Sequence, residues 1–321
     1  MTESASSPPN PHWLLILNGK SAGDAELRKA VHALRDGGIR IDVRVTWEGG
    51  DAARLARKAA ERGLDTVVAA GGDGTLNEVA GALAALDAEA DALPALGLVP
   101  KGTANDFANG AGIPLGSSEA LRLVRAQPPV AMDMLKISDG EDTRWCANLA
   151  TGGFGTQVTV ETDPELKKSL GGLAYVLTGL GKLGQAQPLS ARVRGEDFAW
   201  EGDFVALGIG NGRQAGGGQI LCPKALVDDG RIDLTIVPEA SETGDFWSVL
   251  GTALSSGRAA ALEQVGICTR QSWLELEADA PFTLNLDGEP MQARRFRIDA
   301  IPGRLRMHLP ASSPFLGGAA G

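Results

Sequence analysis

Only three cysteines occur in the 321 residues, Cys146, Cys222 and Cys268, and none forms a Cys-x-x-Cys pair. So few thiols, odd in number and far apart, exclude a disulfide framework and leave no zinc-ribbon spacing; reduced thiols in a cytosolic chain are expected. Histidine is as scarce. His12, His32 and His308 pair neither with one another nor with a motif, which leaves a carboxylate as the source of any general base. Tyrosine occurs once, beside 8 Phe and 6 Trp, whereas glycine occurs 43 times, a balance of many turns and few bulky anchors. An excess of positive charge is missing: 30 basic against 40 acidic residues give a formal charge of −10. Nucleic acid, held by counterion release at a basic surface, is therefore excluded as a partner. Long hydrophobic runs are missing too. The longest weakly charged stretch, 169–181, cannot cross the roughly 30 Å of a bilayer core, so a soluble, cytoplasmic protein without a transmembrane segment is expected. Residues 1–11, rich in Ser and Pro, lack the pattern of a signal peptide and read as a loose tail.

What is present divides into two parts, as the length leads one to expect. From 12 to 130, short apolar runs alternate with amphipathic helical patterns, the signature of a parallel sheet wrapped by helices. Trp13 to Leu17 is a strand; Asp24 caps a helix with Leu27, Ala30, Val31 and Leu34 on one face, and Gly37 stops it. A strand over 41–47, a helix opened by Asp51, a buried strand from Thr66 to Ala70, a helix carrying Leu76, Val79, Ala80 and Leu83, a fourth strand from Ala95 to Val99 and a helix over 118–126 follow. Pro128 and Pro129 break the chain. From 131 to 310 many short strands separated by glycine turns predict a mainly antiparallel β-sandwich, whose last segment packs back on the first domain. Among them are Cys146 to Ala150, Trp273 to Glu277, Phe282 to Leu286 and Phe296 to Ile301. Two helices interrupt them, near 165–183 and 243–254, and 311–321 reads as a second tail.

The strongest chemical signal is Gly71-Gly72-Asp73-Gly74-Thr75, placed where a buried strand meets a helix. Glycine lets successive N–H groups converge on an anion and the helix start adds the positive end of its dipole, so the turn suits phosphate. Thr75 is a candidate cap and phosphate donor, and Asp73 a candidate for holding nucleotide-bound Mg2+ or orienting the phosphates. A second loop, Pro100 to Phe107, leaves the C-terminal end of the next strand, the edge where ligands gather in open parallel sheets. Other nucleotide fingerprints fail. Lys20 and Ser21 follow Gly19, but position 14 is Leu instead of Gly, and Gly210, Gly212 and Ala215 are followed by Gly216, Gly217 and Gly218, which cannot open a helix.

GGDGTLNE at Gly71 to Glu78 and PKGTANDFA at Pro100 to Ala108 resemble the diacylglycerol kinase catalytic family. With VRVTWEGGDAARLA at Val43 to Ala56, NLATGGFGT at Asn148 to Thr156, LCPKALVDDG at Leu221 to Gly230 and NLDGEP at Asn285 to Pro290, nearly the whole chain is similar to the bacterial YegS-type lipid kinases. The resemblance implies an ATP- and Mg2+-dependent kinase acting on a glycerolipid hydroxyl, of diacylglycerol or phosphatidylglycerol, at the inner face of the membrane. It implies nucleotide contacts at Thr46, Gly72, Asp73, Gly74, Thr75, Leu76, Asn77, Glu78 and Thr103, and Glu289 as catalytic base. It also implies a Mg2+ site, with Ca2+ the alternative ion, on the Asp229 carboxylate and the carbonyls of Leu226 and Arg231. Lys167, Lys168 and Lys182 flank the apolar segment Leu170 to Leu180, which reads equally as a membrane-docking helix or as one covering its own domain. GGDGT is shared with NAD kinases, so a small-molecule kinase, or a non-catalytic nucleotide- and lipid-binding module, is the rival reading.

Overall fold

The computed structural model describes residues 10–153, 189–239 and 258–318. Strands β1 (His12–Asn18), β2 (Arg40–Thr46), β3 (Thr66–Gly71) and β4 (Ala95–Pro100) pair side by side in parallel, in the order β4-β3-β1-β2. Every residue of β3 and β4 is buried, as strands covered on both faces require. Alternation along β1 supplies two cores: Trp13, Leu15 and Leu17 meet α1 (Ala25–Asp36) and α5 (Ser117–Ala126), while Leu14 and Ile16 share a cluster with α2 (Asp51–Glu61) and α3 (Asp73–Ala84). Asp24 caps α1, accepting the N–H of Leu27 at 2.8 Å, and Gly37 closes it. A short α4 (Asp106–Ala111) lies on the second glycine loop.

The remaining strands pair antiparallel with one another. They are β5 (Val130–Ser138), β6 (Thr143–Cys146), β7 (Leu149–Gly153), β8 (Leu189–Gly195), β9 (Ala199–Gly210), β10 (Gln214–Ala215), β11 (Gln219–Ile220), β12 (Ile232–Pro238), β13 (Ile267–Gln271), β14 (Trp273–Leu286) and β15 (Glu289–Met307), with α6 (Arg258–Val265) before β13. Long β9 and β14 each pair with β8 along one half and with β7 along the other. Four strands thus close around Phe204, Phe282 and Phe296, whose rings meet edge to face at 6.5 and 5.2 Å.

Several expectations change. Trp273 to Glu277 and Phe282 to Leu286 are one strand, bent where the register shifts between Glu277 and Phe282; Phe296 to Ile301 is the middle of the 19-residue β15. Cys146 to Ala150 is not one strand but the end of β6, a turn and the start of β7. The helices expected near 165–183 and 243–254, with Lys167, Lys168 and Lys182, lie outside the described residues. Nor is 311–318 a tail. Phe315 is fully buried with its ring 5.4 Å from that of Phe107, and the Ser313 hydroxyl donates to the Ala111 carbonyl at 2.7 Å. Burial of one aromatic ring outweighs the turn-forming composition around it.

β15 joins the halves into one sheet. Its last residue, Met307, pairs in parallel with Leu96 of β4, and the next N–H, of His308, donates to the Leu96 carbonyl at 2.9 Å. Arg304 donates to the carbonyls of Ala84, Leu86 and Ala88, and Arg306 to those of Ala90, Asp91 and Leu93. The C-terminal end of α3, where carbonyls lack helical partners, is therefore closed by the C-terminal strand. Among the described residues no helix is long and apolar enough to cross a membrane.

Candidate active site

The glycine turn leads straight from β3 into α3. Gly72, with extended backbone, is the N-cap, and the first helical bond runs from the Leu76 N–H to the Gly72 carbonyl at 3.1 Å. The N–H groups of Asp73, Gly74 and Thr75 precede that bond and point out of the helix end, a ready anion site. Thr75 is thus inside the first turn and is not the cap expected of it. Its hydroxyl lies over Gly71, where an added Cβ would be 2.3 Å away. The second loop presses on the first: Lys101 N–H donates to the Gly71 carbonyl at 2.7 Å, and a Cβ on Gly102 would lie 2.5 Å from the Gly72 Cα. Two glycines are required at that contact.

Beside this turn opens a cleft of about 550 Å³, walled by Asn18 to Lys20 after β1, Thr46 to Gly49 after β2, and Thr75 and Glu78 of α3. Its outer wall is tethered through the backbone. The Asp51 carboxylate accepts the N–H groups of Trp47 at 2.8 Å and Glu48 at 3.3 Å and the Arg54 guanidinium at 2.5 Å. Those donors, the Trp47 N–H foremost, hold Asp51 down at about 2. Glu78 accepts the Ala53 N–H at 3.2 Å, fastening α3 to α2.

Asp73 turns away from the cleft. Its two oxygens accept the N–H groups of Asp106 at 3.0 Å and Phe107 at 2.9 Å, so it caps α4. The N-cap residue of α4, Asn105, has its side chain bonded instead to Gly102. Asp106, itself buried, accepts the N–H groups of Gly217 at 2.9 Å and Gly218 at 2.6 Å, in the glycine run that sequence reasoning had set aside as unable to open a helix. In place of the metal or phosphate contact expected of it, Asp73 fastens the second loop to the first, and Asp106 carries the connection into the other half.

A second connection reaches Glu289. Asn77 is buried and its carbonyl oxygen accepts the Ala147 N–H at 3.2 Å. Asp287 accepts the same N–H at 2.8 Å, those of Asn148 and Leu149 at 3.1 and 2.9 Å, and the Cys146 thiol at 3.3 Å. Burial pushes the Asp287 carboxyl upward while the N–H donors, Leu149 first, draw it down; burial also raises the Cys146 thiol. This carboxylate breaks the expected strand at Cys146 to Ala150 by gathering three successive amides into a turn. Asp287 (φ 50°) and Gly288 (φ 101°) form the tight β14–β15 hairpin, and Glu289 follows with its side chain exposed.

Of the nucleotide contacts implied by sequence, Thr46, Thr75 and Glu78 line the cleft, and Gly72, Asp73 and Gly74 form the helix start beside it. Leu76 is packed in the core and Asn77 is committed to Ala147, so neither offers its side chain to the cleft. Thr103 is exposed on the second loop, outside the cleft lining.

Around the implied metal position, Asp229 accepts the Arg231 N–H at 3.0 Å and lies 3.7 Å from Arg270. The Leu226 carbonyl accepts no hydrogen bond among the described residues. Negative charge is in excess here. Burial pushes Asp233 up to about 6 although Arg270 lies 3.3 Å away, burial raises Asp133 as well, and Asp229 adds to both shifts. A carboxylate with neighbouring carbonyls, all oxygen donors, fits a hard cation that keeps several waters. Among the described residues no cluster of three or more His, Cys, Asp or Glu side chains could form a cage.

Sequence reasoning missed Asp106, Asn77 and Asp287 as connectors and Trp47 as a cleft wall. A Asp-Gly pair signals a turn, but no local signal says which distant amides its carboxylate will take.

Residues 12–137 match the model of the diacylglycerol kinase catalytic domain, and residues 149–309 that of the YegS C-terminal NAD kinase beta sandwich-like domain. A protein of Stenotrophomonas maltophilia named probable lipid kinase YegS-like is 60% identical over 308 residues, covering 96% of this chain and 99% of that protein. One of the same name from Pseudomonas aeruginosa is 48% identical over 303 residues, covering 94% and 96%. A crystal structure described as a diacylglycerol kinase from Bacillus anthracis superposes with a TM-score of 0.73 at 23% identity, covering 95% and 99% of the two chains, a likeness of fold. With both halves of the chain matched and relatives similar along nearly its full length, this chain belongs to the YegS-like lipid kinases of the diacylglycerol kinase catalytic family and is a phosphotransferase.

Proposed function

We propose that this enzyme transfers the γ-phosphoryl group of ATP to a hydroxyl of a glycerolipid, diacylglycerol or phosphatidylglycerol, working from the cytoplasm on the inner face of the membrane. The observation that carries the reading is the bond network running from the helix start at Gly72 to Thr75, through Asn77, Ala147 and Asp287, to Glu289. Through the single amide of Ala147, α3 is tied to the hairpin that carries Glu289, and this supports the reading because phosphoryl transfer asks a protein mainly to hold groups in position.

In this reading the N–H groups of Asp73, Gly74 and Thr75 hold the phosphates, and Thr46, Glu78 and Thr103 supply further nucleotide contacts. Glu289 takes the proton of the lipid hydroxyl as it attacks. Asp229 and the carbonyls of Leu226 and Arg231 would hold Mg2+, or Ca2+ on the same oxygen donors, and a bound ion would supply positive charge near the acidic loop. Lys101, paired with Asp24 at 2.6 Å, steadies the second loop. Incubation with labelled ATP and Mg2+ against vesicles of defined lipid, with NAD as the competing acceptor, tests the reading. Labelled phospholipid is the expected product; labelled NADP, or no transfer to any acceptor, would overturn it.

A further inference from the structure

Trp47 is 94% exposed, against 51% for Val45 and 52% for Leu115, the other large exposed apolar side chains of the described residues. An indole left in water is costly to keep for folding alone, because a tryptophan normally buries much of its large apolar area. The backbone beneath it is tethered: the main-chain N–H of Trp47 donates to Asp51 at 2.8 Å, and Asp51, ionised down to about 2, also accepts the main-chain N–H of Glu48 and the Arg54 guanidinium. The position is a wall of the cleft whose other side is the start of α3, through Thr75 and Glu78. An exposed aromatic face on an anchored backbone, in the same cleft as a helix end suited to phosphate, fits a flat, aromatic ligand part attached to phosphates.

We infer that Trp47 is the stacking platform for the purine base of the nucleotide, with Asp51 as the positioning residue that anchors the backbone carrying it. This rests on the reading of the cleft as a nucleotide site. Stacking accepts any π face, so Trp47 confers affinity for purine nucleotides in general, while discrimination among bases falls to the polar cleft residues Asn18 and Thr46.

The test uses the full chain with Trp47→Ala, Trp47→Phe and Asp51→Ala. The KM for ATP is expected to rise about tenfold in Trp47→Ala and much less in Trp47→Phe, with the effect on KM and not kcat, and Asp51→Ala in between. ATP added without lipid is expected to quench the part of the indole fluorescence that Trp47→Phe removes. An unaltered KM for ATP in Trp47→Ala, with no quenching assignable to Trp47, overturns the inference. A shift confined to the KM for vesicle lipid also overturns it and assigns Trp47 to the bilayer surface. Failure of the unsubstituted protein to bind ATP in equilibrium dialysis would instead remove the nucleotide reading itself, and this inference with it.

Discussion

Asn77 and Asp287 accept the same hydrogen, the amide proton of Ala147, at 3.2 and 2.8 Å. Two residues 210 positions apart in sequence thus meet at one atom, the first on α3 and the second two residues before Glu289. The bonds are unequal in consequence. Removing Asp287 strands the amides of Asn148 and Leu149 and leaves Ala147 only its longer bond to Asn77, whereas removing Asn77 leaves Ala147 its shorter bond to Asp287. Asp287→Ala is expected to lose roughly 3 kcal/mol of unfolding free energy and Asn77→Ala roughly 1 kcal/mol. Urea titrations of both variants measure this, and equal losses would show that the shared bond is not organised as described.

Asp73→Ala removes the cap of α4, so about 1–2 kcal/mol of stability should go with it, together with a higher KM for ATP as the second loop drifts. Asp73→Asn keeps one acceptor oxygen and should recover part of both. If the Asn variant kept full thermal stability yet transferred nothing, charge at Asp73 and not its tether would be what catalysis needs.

Glu289 is held through its backbone by pairing with Leu286, while its exposed side chain makes no hydrogen bond among the described residues. Glu289→Gln should therefore melt within a degree or so of the parent while phosphoryl transfer drops by about 10²–10⁴-fold. Transfer near the parent rate by the purified variant would place the base elsewhere.

Gly102→Ala puts a methyl 2.5 Å from the Gly72 Cα, a backbone atom that cannot step aside. The loops must part, costing about 1–3 kcal/mol and raising the KM for ATP. Gly23→Ala, where nothing lies within 4 Å, is the control that should change neither.

His308 gives the pH dependence its sign. Its ring is buried, with Nδ1 at 2.8 Å from the Gln127 carbonyl and Nε2 at 3.4 Å from Thr66 Oγ1, and burial lowers its pKa below 6.5. The folded protein then binds fewer protons than the unfolded chain below pH 6.5, so this contribution to stability is complete above 6.5 and is lost as the pH falls through the folded value. Denaturation at pH 7.5 and 5.5 should show a drop in the parent and a smaller one in His308→Gln; equal drops would assign the acid sensitivity to other groups.

Local patterning made the strands and helices of the first 130 residues legible, because buried runs such as Thr66 to Gly71 and caps such as Asp24 announce themselves within a few residues. The glycine turn was legible for the same reason. Harder were β14 and β15, whose bends at Glu277 to Phe282 and at Pro302 and Gly303 look like strand ends in sequence but are register shifts within continuous ladders. Hidden altogether were the destinations of Asp73, Asp106 and Asp287. A carboxylate that caps a turn tens of residues away leaves no mark in its own neighbourhood, so Asp73 reads as a phosphate or metal contact because its loop does.

A strand of 19 residues spans ~60 Å when extended, and β15 uses that reach to run from the Glu289 hairpin to the rim of β4. Swinging the halves apart as two rigid jaws would tear the Met307–Leu96 pairing and pull Arg304 and Arg306 from the carbonyls behind α3. Opening in the manner of a clamshell therefore carries the cost of this pairing and of both arginine clamps, and the hairpin that carries Glu289 is joined through one continuous strand to the sheet from which α3 starts.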